Sequence, residues 1–383
     1  MNMRMLKVNM ALAAMLLLFV TVAGLRAVID SGMTWKYDKV FEETGELYDV
    51  MATAAADIWV AGDSFLLHDD GTGWQRRPMP TSFGSSLFAH VRLDAVGSSG
   101  ILLTASMEEG EVEGEAPHMA RWDGTRWTAL PELPDGHPVA DVRAFAADDI
   151  WVLDGEAGAS HWDGARWTAV DLPVAVTSLD GVASDDLWAV GYDYPHGPDE
   201  GPGFPGAQPA TVHWDGRAWK PVPTPEYHYA VPAPEQLAYF TEVVALAKDD
   251  IRVYGDHTSL PEDDEPDPAP EALRVRWNGS GWIKLPNSKG ACSDRDRWVR
   301  DGEHGVVLSA GRYLTAGGNC EGISLSELPS ADWIEAGSQQ SLRLNAITAV
   351  PGTDKILGVG SAEAAHDGSS TSRSVIVSLK RSP

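Results

Sequence analysis

Residues 147–167 read ADDIWVLDGEAGASHWDGARW, in which two turn signals alternate with short β-rich segments. Asp148 and Asp149 precede Ile150-Trp151-Val152, whose aromatic and β-branched side chains suit a half-buried strand. Asp favours tight turns because its side chain bonds nearby backbone groups and tolerates left-handed backbone. Asp-Gly at 163–164 is a strong hairpin signal. The stretch therefore predicts strand, Asp-Asp turn, strand, loop, strand, Asp-Gly turn, strand.

Both halves of this stretch recur along the chain. The first half returns at 57–62, 185–191 and 249–255, and the second half at 68–74, 121–127, 213–219 and 276–282. The tryptophan after the second turn marks the start of each unit, at Trp35, Trp74, Trp127, Trp167, Trp219 and Trp282, with a degenerate seventh start at Trp333. Four-stranded units at this spacing, arranged radially, predict an all-β fold, the β-propeller.

We expect seven four-stranded antiparallel blades. Six is the alternative, because units six and seven lack the Asp-Gly turn. The last unit ends at 374–379 with no tryptophan after it, whereas residues 30–35 read as the end of a repeat without its beginning. The N-terminal strand is therefore predicted to complete the last blade and to cover two open sheet edges. Residues 28–383 would form this single propeller domain.

Tryptophan is abundant, with 15 residues, and most of them occupy repeat positions. We expect these side chains to pack between blades rather than to act chemically. The set comprises Trp59, Trp151, Trp188, Trp122, Trp162, Trp214 and Trp277.

Residues 1–27 read as a targeting segment. Arg4 and Lys7 precede an apolar run from Met10 to Leu25, which is shorter than the roughly 20 residues needed to span a bilayer. A secretory signal peptide is the preferred interpretation, and an uncleaved membrane anchor is the alternative. Either interpretation predicts an extracytoplasmic protein, secreted or anchored by this segment.

The chain is strongly acidic, with a net charge of −27. Nucleic-acid binding requires a basic footprint, and the sequence contains none. Binding to an anionic membrane surface is disfavoured for the same reason, so we expect membrane association only through residues 1–27, if they are retained.

The longest segments between repeats fall on one side of the predicted ring. Residues 107–115, 194–205 and 261–268 join second to third strands, and 75–90 and 221–239 join successive blades. Loops on a rigid scaffold commonly carry binding sites. An exposed aromatic patch on this face would indicate a binding protein, and the candidates are Tyr192, Tyr194, Phe204, Tyr227 and Tyr229.

Cys292 and Cys320 are the only cysteines, and outside the cytoplasm such a pair is expected to form a disulfide. His68, His161 and His213 fall on different units, so convergence on a metal is not expected. The acidic loops could hold Ca²⁺, which takes carboxylate oxygens, but none has EF-hand spacing. We therefore expect no cofactor and no metal site.

From Trp35 onward the chain resembles bacterial extracytoplasmic β-propeller repeat proteins, near the kelch and galactose-oxidase-like propellers. Kelch blades carry a Gly-Gly doublet, whereas here only Gly317-Gly318 occurs. The turn at 160–167 is also similar to the Asp-box hairpin of sialidase-type propellers, with Trp162 in place of the Asp. The resemblance implies fold and compartment but assigns no catalytic residue.

The sequence thus favours a non-catalytic propeller that binds a protein or glycan at the cell surface through its loop-rich face. The alternative is an extracytoplasmic glycan hydrolase or lyase with carboxylates on that face as acid and base. A catalytic site would need a close carboxylate pair with a Tyr or Arg in the central pocket.

Overall fold

The repeat turns each join two antiparallel strands in the computed structural model of the protein. Asp163 shows the physical cause, because its Oδ1 accepts hydrogen bonds from the main-chain N–H groups of Ala165 at 2.9 Å and Arg166 at 2.8 Å. Gly164 follows at a left-handed φ of 89°. A Cβ on Gly164 would lie 2.7 Å from the Cβ of Asp148, so the two turns of one blade pack together and this position requires glycine.

The structure describes most of the chain after the N-terminal segment. The described residues are 29–42, 45–84, 87–88, 90–97, 100–107, 117–134, 139–154, 158–193, 206–230, 235–259, 268–285, 299–301, 304–315, 319–329, 333–334, 338–366 and 368–381.

The first five blades are separate four-stranded antiparallel sheets, each formed by consecutive strands. Their strands are β2 (Leu47–Ala54), β3 (Asp57–Gly62), β4 (Phe65–Asp69) and β5 (Trp74–Pro78); β6 (His90–Val96), β7 (Gly100–Ser106), β8 (His118–Trp122) and β9 (Trp127–Ala129); β10 (Asp141–Ala146), β11 (Asp149–Leu153), β12 (Gly158–Trp162) and β13 (Trp167–Asp171); β14 (Ala175–Ala183), β15 (Asp186–Asp193), β16 (Gln208–Trp214) and β17 (Trp219–Val222); and β18 (Gln236–Ala247), β19 (Asp250–Ser259), β20 (Glu271–Trp277) and β21 (Trp282–Lys284). A 3-10 turn at Thr81–Phe83 follows β5.

The last two blades share one eight-stranded sheet with the N-terminal strand. Its members are β1 (Ile29–Val40), β22 (Val299–Asp301), β23 (Gly305–Ser309), β24 (Arg312–Thr315), β25 (Cys320–Leu325), β26 (Gln339–Ala349), β27 (Ile356–His366) and β28 (Ser369–Arg381). The order β22-β23-β24-β25-β1-β28-β27-β26 divides into two four-stranded halves, β22 to β25 and β26-β27-β28-β1. The strand order therefore gives seven four-stranded units, and the predicted propeller architecture is confirmed.

The N-terminal strand closes the ring, as the sequence predicts. β1 pairs antiparallel with β28, with Trp35 opposite Leu379, and its first half pairs parallel with β25. Trp35 is 0% exposed, and its Nε1 donates a hydrogen bond to the carbonyl oxygen of Ala310 at 2.9 Å. β1 thus covers an edge of each of the last two blades, which leaves fewer unpaired backbone groups.

One detail of the repeat count is wrong. Trp333 was expected to begin the outermost strand of the sixth unit, but that strand is β25, which begins at Cys320. Trp333 lies outside the strands and packs against the hydrophobic cluster of the last two blades. The Asp-Gly turn that marks this strand elsewhere is missing here, so the tryptophan pattern had no anchor. Cys292 lies outside the described residues, and the Cys292–Cys320 disulfide stays a prediction.

The hydrophobic core lies between blades rather than in one central body. Separate clusters of buried side chains join blades one and two, two and three, three and four, four and five, and six and seven. A further cluster joins blade seven to blade one, for example through Val359 and Val60, which completes the closure. Each blade is therefore stabilised mainly by burial of apolar surface against its neighbours.

The two faces of the ring carry different connections. The second-to-third-strand loops and the links between blades leave one face, which we call the loop face. The Asp-Asp-type and Asp-Gly turns leave the other face, which we call the Asp-turn face. None of the helical segments among the described residues is long and apolar enough to cross a membrane.

Candidate functional site

The predicted aromatic patch of the loop face is not formed by Tyr192. This side chain is 8% exposed and packs in a small cluster with Ala175 and Ala207. Its position on β15 turns the ring into the boundary between blades four and five. Tyr194 and Phe204 lie outside the described residues. Of the five candidates, Tyr227 and Tyr229 are therefore the ones that the structure brings to one place.

Tyr227 and Tyr229 lie in the link between β17 and β18, and two glutamine side chains hold this link. Gln208 Oε1 accepts from the N–H of Tyr227 at 3.0 Å, and Gln208 Nε2 donates to the carbonyl oxygen of Tyr227 at 3.1 Å. Gln236 Oε1 accepts from the N–H of Tyr229 at 2.8 Å. The amide groups thus satisfy backbone that has no strand partner, and they fix the path of the link.

A buried histidine fixes the second tyrosine. The Tyr229 ring stacks on His257 with centroids 4.0 Å apart, and its hydroxyl donates to the His257 carbonyl oxygen at 3.1 Å. His257 Nε2 lies 2.8 Å from Gln236 Oε1, and Nδ1 lies 3.2 Å from Glu271 Oε2. Because Gln236 Oε1 already accepts from an N–H, it must be the oxygen, and His257 Nε2 carries a proton. A second proton then lies between Nδ1 and the Glu271 carboxylate.

A pocket of about 490 Å³ opens beside this link, at the outer rim of blade five. We call it the rim pocket; its polar lining includes Glu226, Tyr227, His228, Glu271, Arg274 and Lys284. Lys284 Nζ lies 3.8 Å from the Tyr227 ring centroid and donates to the Glu226 carbonyl oxygen at 3.0 Å. Burial, and secondarily the Glu271 charge, raises the pKa of Tyr227 to about 12, so its hydroxyl stays neutral at physiological pH. The pocket therefore offers hydrogen-bond donors and acceptors of both charges.

Three copies of an Asp-His-Trp cluster lie on the Asp-turn face. In each, the His Nε2 lies 2.8 Å from a carboxylate oxygen of the Asp, and the His ring stacks on the Trp at 4.0 to 4.4 Å. The copies are Asp57-Trp59-His68, Asp149-Trp151-His161 and Asp186-Trp188-His213. In blade five Arg252 and Arg276 take the Trp and His places, and both contact Asp250. Each His is engaged within its own blade, so the three do not converge.

The repeat tryptophans meet across blade boundaries. Trp59 contacts Trp122 at 5.2 Å between ring centroids, Trp151 contacts Trp214 at 5.0 Å and Trp188 contacts Trp277 at 5.1 Å. Trp162 packs between blades two and three, where Leu102 replaces the tryptophan of the preceding blade. Such tilted pairs add to the burial energy. These contacts give the tryptophans a structural role. Within the described residues no group of three or more His, Cys, Asp or Glu side chains is arranged to hold a metal ion.

Carboxylates of the innermost strands bond to the backbone of the neighbouring blade. Asp49 Oδ2 accepts from the N–H of Leu93 at 2.9 Å, and Asp141 Oδ2 accepts from the N–H of Leu179 at 2.8 Å. Ser178 Oγ takes the same role for the N–H of Val243 at 3.2 Å. These inner carboxylates are therefore committed to joining blades.

Asp180 is a further inner carboxylate and the most desolvated of them. Burial raises its pKa above the usual range, although Arg143 Nε lies 3.2 Å from Oδ1 and opposes the shift. Oδ1 accepts from the N–H of Gly181 and Oδ2 from the N–H of Ala245, both at 2.8 Å. A carboxylate with both oxygens bonded to backbone is poorly suited to proton transfer.

Sequence reasoning missed this inter-blade bond, although a signal exists. Asp49, Asp141 and Ser178 each precede the first buried residue after the Asp turn by the same interval, ending at Ile58, Ile150 and Leu187. A short polar acceptor at that position marks the bond. The Gln208 and Gln236 contacts have no comparable repeat signal.

The sequence matches no family model and no curated protein sequence. Among solved structures it is similar to YCF48 bound to D1 peptide, at 12% identity over 93% of this chain and 100% of that chain with a TM-score of 0.49. It is also similar to YCF48 from Cyanidioschyzon merolae, at 11% identity over 90% of this chain and 98% of that chain with a TM-score of 0.47. The WD40 β-propeller domain of Doa1 is similar at 8% identity over 91% of this chain and 97% of that chain, with a TM-score of 0.43.

Proposed function

We propose that this protein is a non-catalytic β-propeller that binds an extended segment of a protein partner at the rim pocket, beside the loop face. The observation that carries the proposal is the pocket itself, about 490 Å³ in volume and built on strands β20 and β21 and the β17–β18 link. Pockets of this size accept a small ligand or a few side chains. Binding sites on rigid scaffolds commonly lie at such connections.

The polar groups of the rim pocket suit a peptide. Lys284 and the neutral Tyr227 hydroxyl can donate to main-chain carbonyls or to acidic side chains, and Glu226 and Glu271 can accept from N–H groups or basic side chains. Lys284 over the Tyr227 ring also presents an aliphatic stem on an aromatic surface. The pocket thus combines apolar contact with paired donors and acceptors.

The walls of the pocket are organised before any ligand arrives. The link carrying Tyr227 is fixed by Gln208, and Glu271 faces the buried His257, whose side chain is 1% exposed. A preorganised surface loses little conformational entropy on binding. This supports recognition of a short segment without a large rearrangement.

The hydrolase or lyase alternative receives less support. A general acid needs a desolvated carboxyl group, whereas the side chains of Glu226 and Glu271 are 75% and 55% exposed. The buried inner carboxylates are bonded to backbone instead. A binding role is therefore the better supported of the two.

We further propose an extracytoplasmic location, with residues 1–27 acting as a signal peptide or as a membrane anchor. The Cys292–Cys320 disulfide and the kinship to kelch and galactose-oxidase-like propellers belong to the same proposal. A cell-surface protein is the expected partner, and a surface glycan is the alternative ligand.

The test is selection from a random dodecapeptide phage library on the immobilised full chain, followed by affinity measurement on the enriched peptides. Reversing the charge with Lys284→Glu should weaken binding by at least about tenfold, or about 1.4 kcal/mol. Arg76→Glu is the matched control, because Arg76 occupies the same repeat position in blade one and also lies over an aromatic ring, 3.8 Å from the Phe65 centroid. It should change the affinity less than about twofold.

Two results would contradict the proposal. The first is no peptide enrichment, and the second is equal loss of affinity in both variants. A parallel glycan array covers the alternatives: glycan binding without peptide binding would replace the protein partner, and product release from any glycan would favour the hydrolase or lyase.

A further inference from the structure

A second pocket, of about 450 Å³, lies on the Asp-turn face between blades three and four. It is remote from the rim pocket, which lies at the outer edge of blade five. We call it the interblade pocket; its walls include Asp148, Asp149, Trp151, His161, Asp185 and Trp214. None of the side chains that line it is a lysine or arginine.

The walls of the interblade pocket are held in place by the repeat. Trp214 Nε1 donates to the carbonyl oxygen of Ser184 at 3.2 Å, and its ring lies 5.0 Å from that of Trp151. His161 stacks on Trp151 at 4.4 Å and holds Asp149 Oδ1 at 2.8 Å. The pocket is thus an aromatic-walled site rather than a gap between flexible loops.

Its charge is uncompensated. Asp148 and Asp185 are exposed, and neither forms an ion pair or side-chain hydrogen bond with the part of the chain that the structure describes. Together with Asp149 they give one opening three carboxylates beside two indole rings. Carboxylates attract a cation, and an indole face adds cation–π attraction.

An orphaned donor also lines the pocket. Trp151 is 2% exposed, and its Nε1 has no hydrogen-bond partner among the described residues, a feature shared by Trp188. In blade one the equivalent Trp59 Nε1 donates to Asp57 Oδ1 at 2.9 Å. A buried N–H without an acceptor is unfavourable, so the site calls for an acceptor oxygen as well as a cation.

The chain contains its own precedent for the cation one repeat further on. Lys248 of blade five lies with Nζ 3.7 Å from Asp186 Oδ2 of blade four. Asp186 is the repeat equivalent of Asp149, and Lys248 is the repeat equivalent of Ser184, which lines the interblade pocket. At the boundary of blades four and five an internal lysine therefore supplies the charge that is missing between blades three and four.

We propose that the interblade pocket binds a lysine side chain from an extended segment of a partner protein. The ammonium group takes the place that Lys248 takes beside Asp186 and contacts Asp149, Asp148 and Asp185. The lysine stem packs on Trp214. A main-chain carbonyl of the same segment accepts from Trp151 Nε1.

The test uses the full chain and a blocked peptide, acetyl-Gly-Lys-Gly-amide, with a norleucine peptide as the uncharged match. Binding is followed by tryptophan indole NMR signals. Ser184→Lys should place an internal cation in the pocket, as Lys248 does in the next repeat, and should weaken peptide binding at least about tenfold. Ser184→Gln, of comparable bulk but neutral, should weaken it less than about threefold.

Further arms separate the proposal from its rivals. Lys284→Glu, in the rim pocket, should leave lysine-peptide binding unchanged, which keeps this test independent of the proposed function. Unfolding temperatures of the Ser184 variants should match the wild type, because the next repeat already accommodates lysine there. The proposal is overturned if the norleucine peptide binds equally, if Ser184→Lys binds as the wild type does, or if no binding occurs at millimolar peptide. Equal binding by n-butylammonium would overturn the partner-segment assignment, since the backbone contact would then contribute nothing.

Discussion

The carboxylate of Asp49 in blade one accepts a hydrogen bond from the main-chain N–H of Leu93 in blade two, with Oδ2 2.9 Å from the nitrogen. The other oxygen, Oδ1, accepts from the N–H of Val50 at 2.9 Å. Asp49 is 4% exposed, so the bond lies out of water at the innermost strands. Adjacent blades are thus joined by hydrogen bonds at the centre of the ring as well as by apolar packing further out.

Removing this acceptor should destabilise the ring. We expect Asp49→Ala to lower the free energy of unfolding by about 1–3 kcal/mol, because it leaves two buried N–H groups unsatisfied. Denaturant unfolding of the full chain measures the change. Asp171→Ala is the control, because Asp171 is an exposed residue at the end of β13 and should alter stability by less than about 0.5 kcal/mol. Equal effects from both substitutions would contradict the structural role of Asp49.

The tryptophans between blades should show a graded dependence on size. Trp188 is 2% exposed and packs against Trp277 and Trp282. We expect Trp188→Ala to cost about 3–5 kcal/mol in unfolding free energy. Trp188→Leu should cost clearly less, because Leu102 occupies the equivalent place in blade two with 0% exposure. Similar losses from the two variants would argue against packing volume as the cause.

The Asp-Gly turns should contribute an acid-dependent stability. The Thr125 hydroxyl, with the backbone N–H groups of Arg126 and Thr125, lowers the pKa of Asp123 to about 2. An unfolded Asp titrates near about 3.9, so the contribution is present above about pH 4 and is lost as the pH falls towards about 2.

Asp123→Asn tests this contribution with the geometry preserved, because Asn278 forms the same turn in blade five and its Oδ1 accepts from the N–H of Gly281 at 3.0 Å. Between about pH 4 and pH 2 the wild type should take up more protons on unfolding than the variant does. Calorimetric unfolding across this pH range measures the uptake. Identical pH dependence in the two proteins would contradict the lowered pKa.

Closure by the N-terminal strand should be visible in stability. Trp35 is fully buried in β1, and its Nε1 contacts the Ala310 carbonyl of blade six. We expect Trp35→Ala to cost about 3–5 kcal/mol and to expose amides of both β25 and β28 to hydrogen exchange. Exchange confined to β1 itself would show that the strand is peripheral to the ring.

The repeat made most of the fold predictable from sequence. Asp163-Gly164 and its equivalents specify the turns through local hydrogen bonds, and Trp35 marks a strand that has no partner nearby in sequence. Blade six was the exception, because its outermost strand at Cys320–Leu325 follows no such turn.

The rim pocket was predictable only in part. Tyr227 and Tyr229 were identifiable as loop aromatics, but their half-buried setting depends on Gln208 and on His257, which are separated from them in sequence. The contact between Lys284 and Tyr227 likewise joins two different segments of the repeat. Contacts of this kind have no periodicity, so sequence pattern alone does not reveal them.

The central claim, that the rim pocket binds a protein segment, is tested most directly by hydrogen exchange on the full chain with and without a selected peptide. The account predicts slower exchange at 223–230 and 271–285, the segments that form the rim pocket, with little change elsewhere on the ring. Protection confined to other blades, or no protection at saturating peptide, would contradict it.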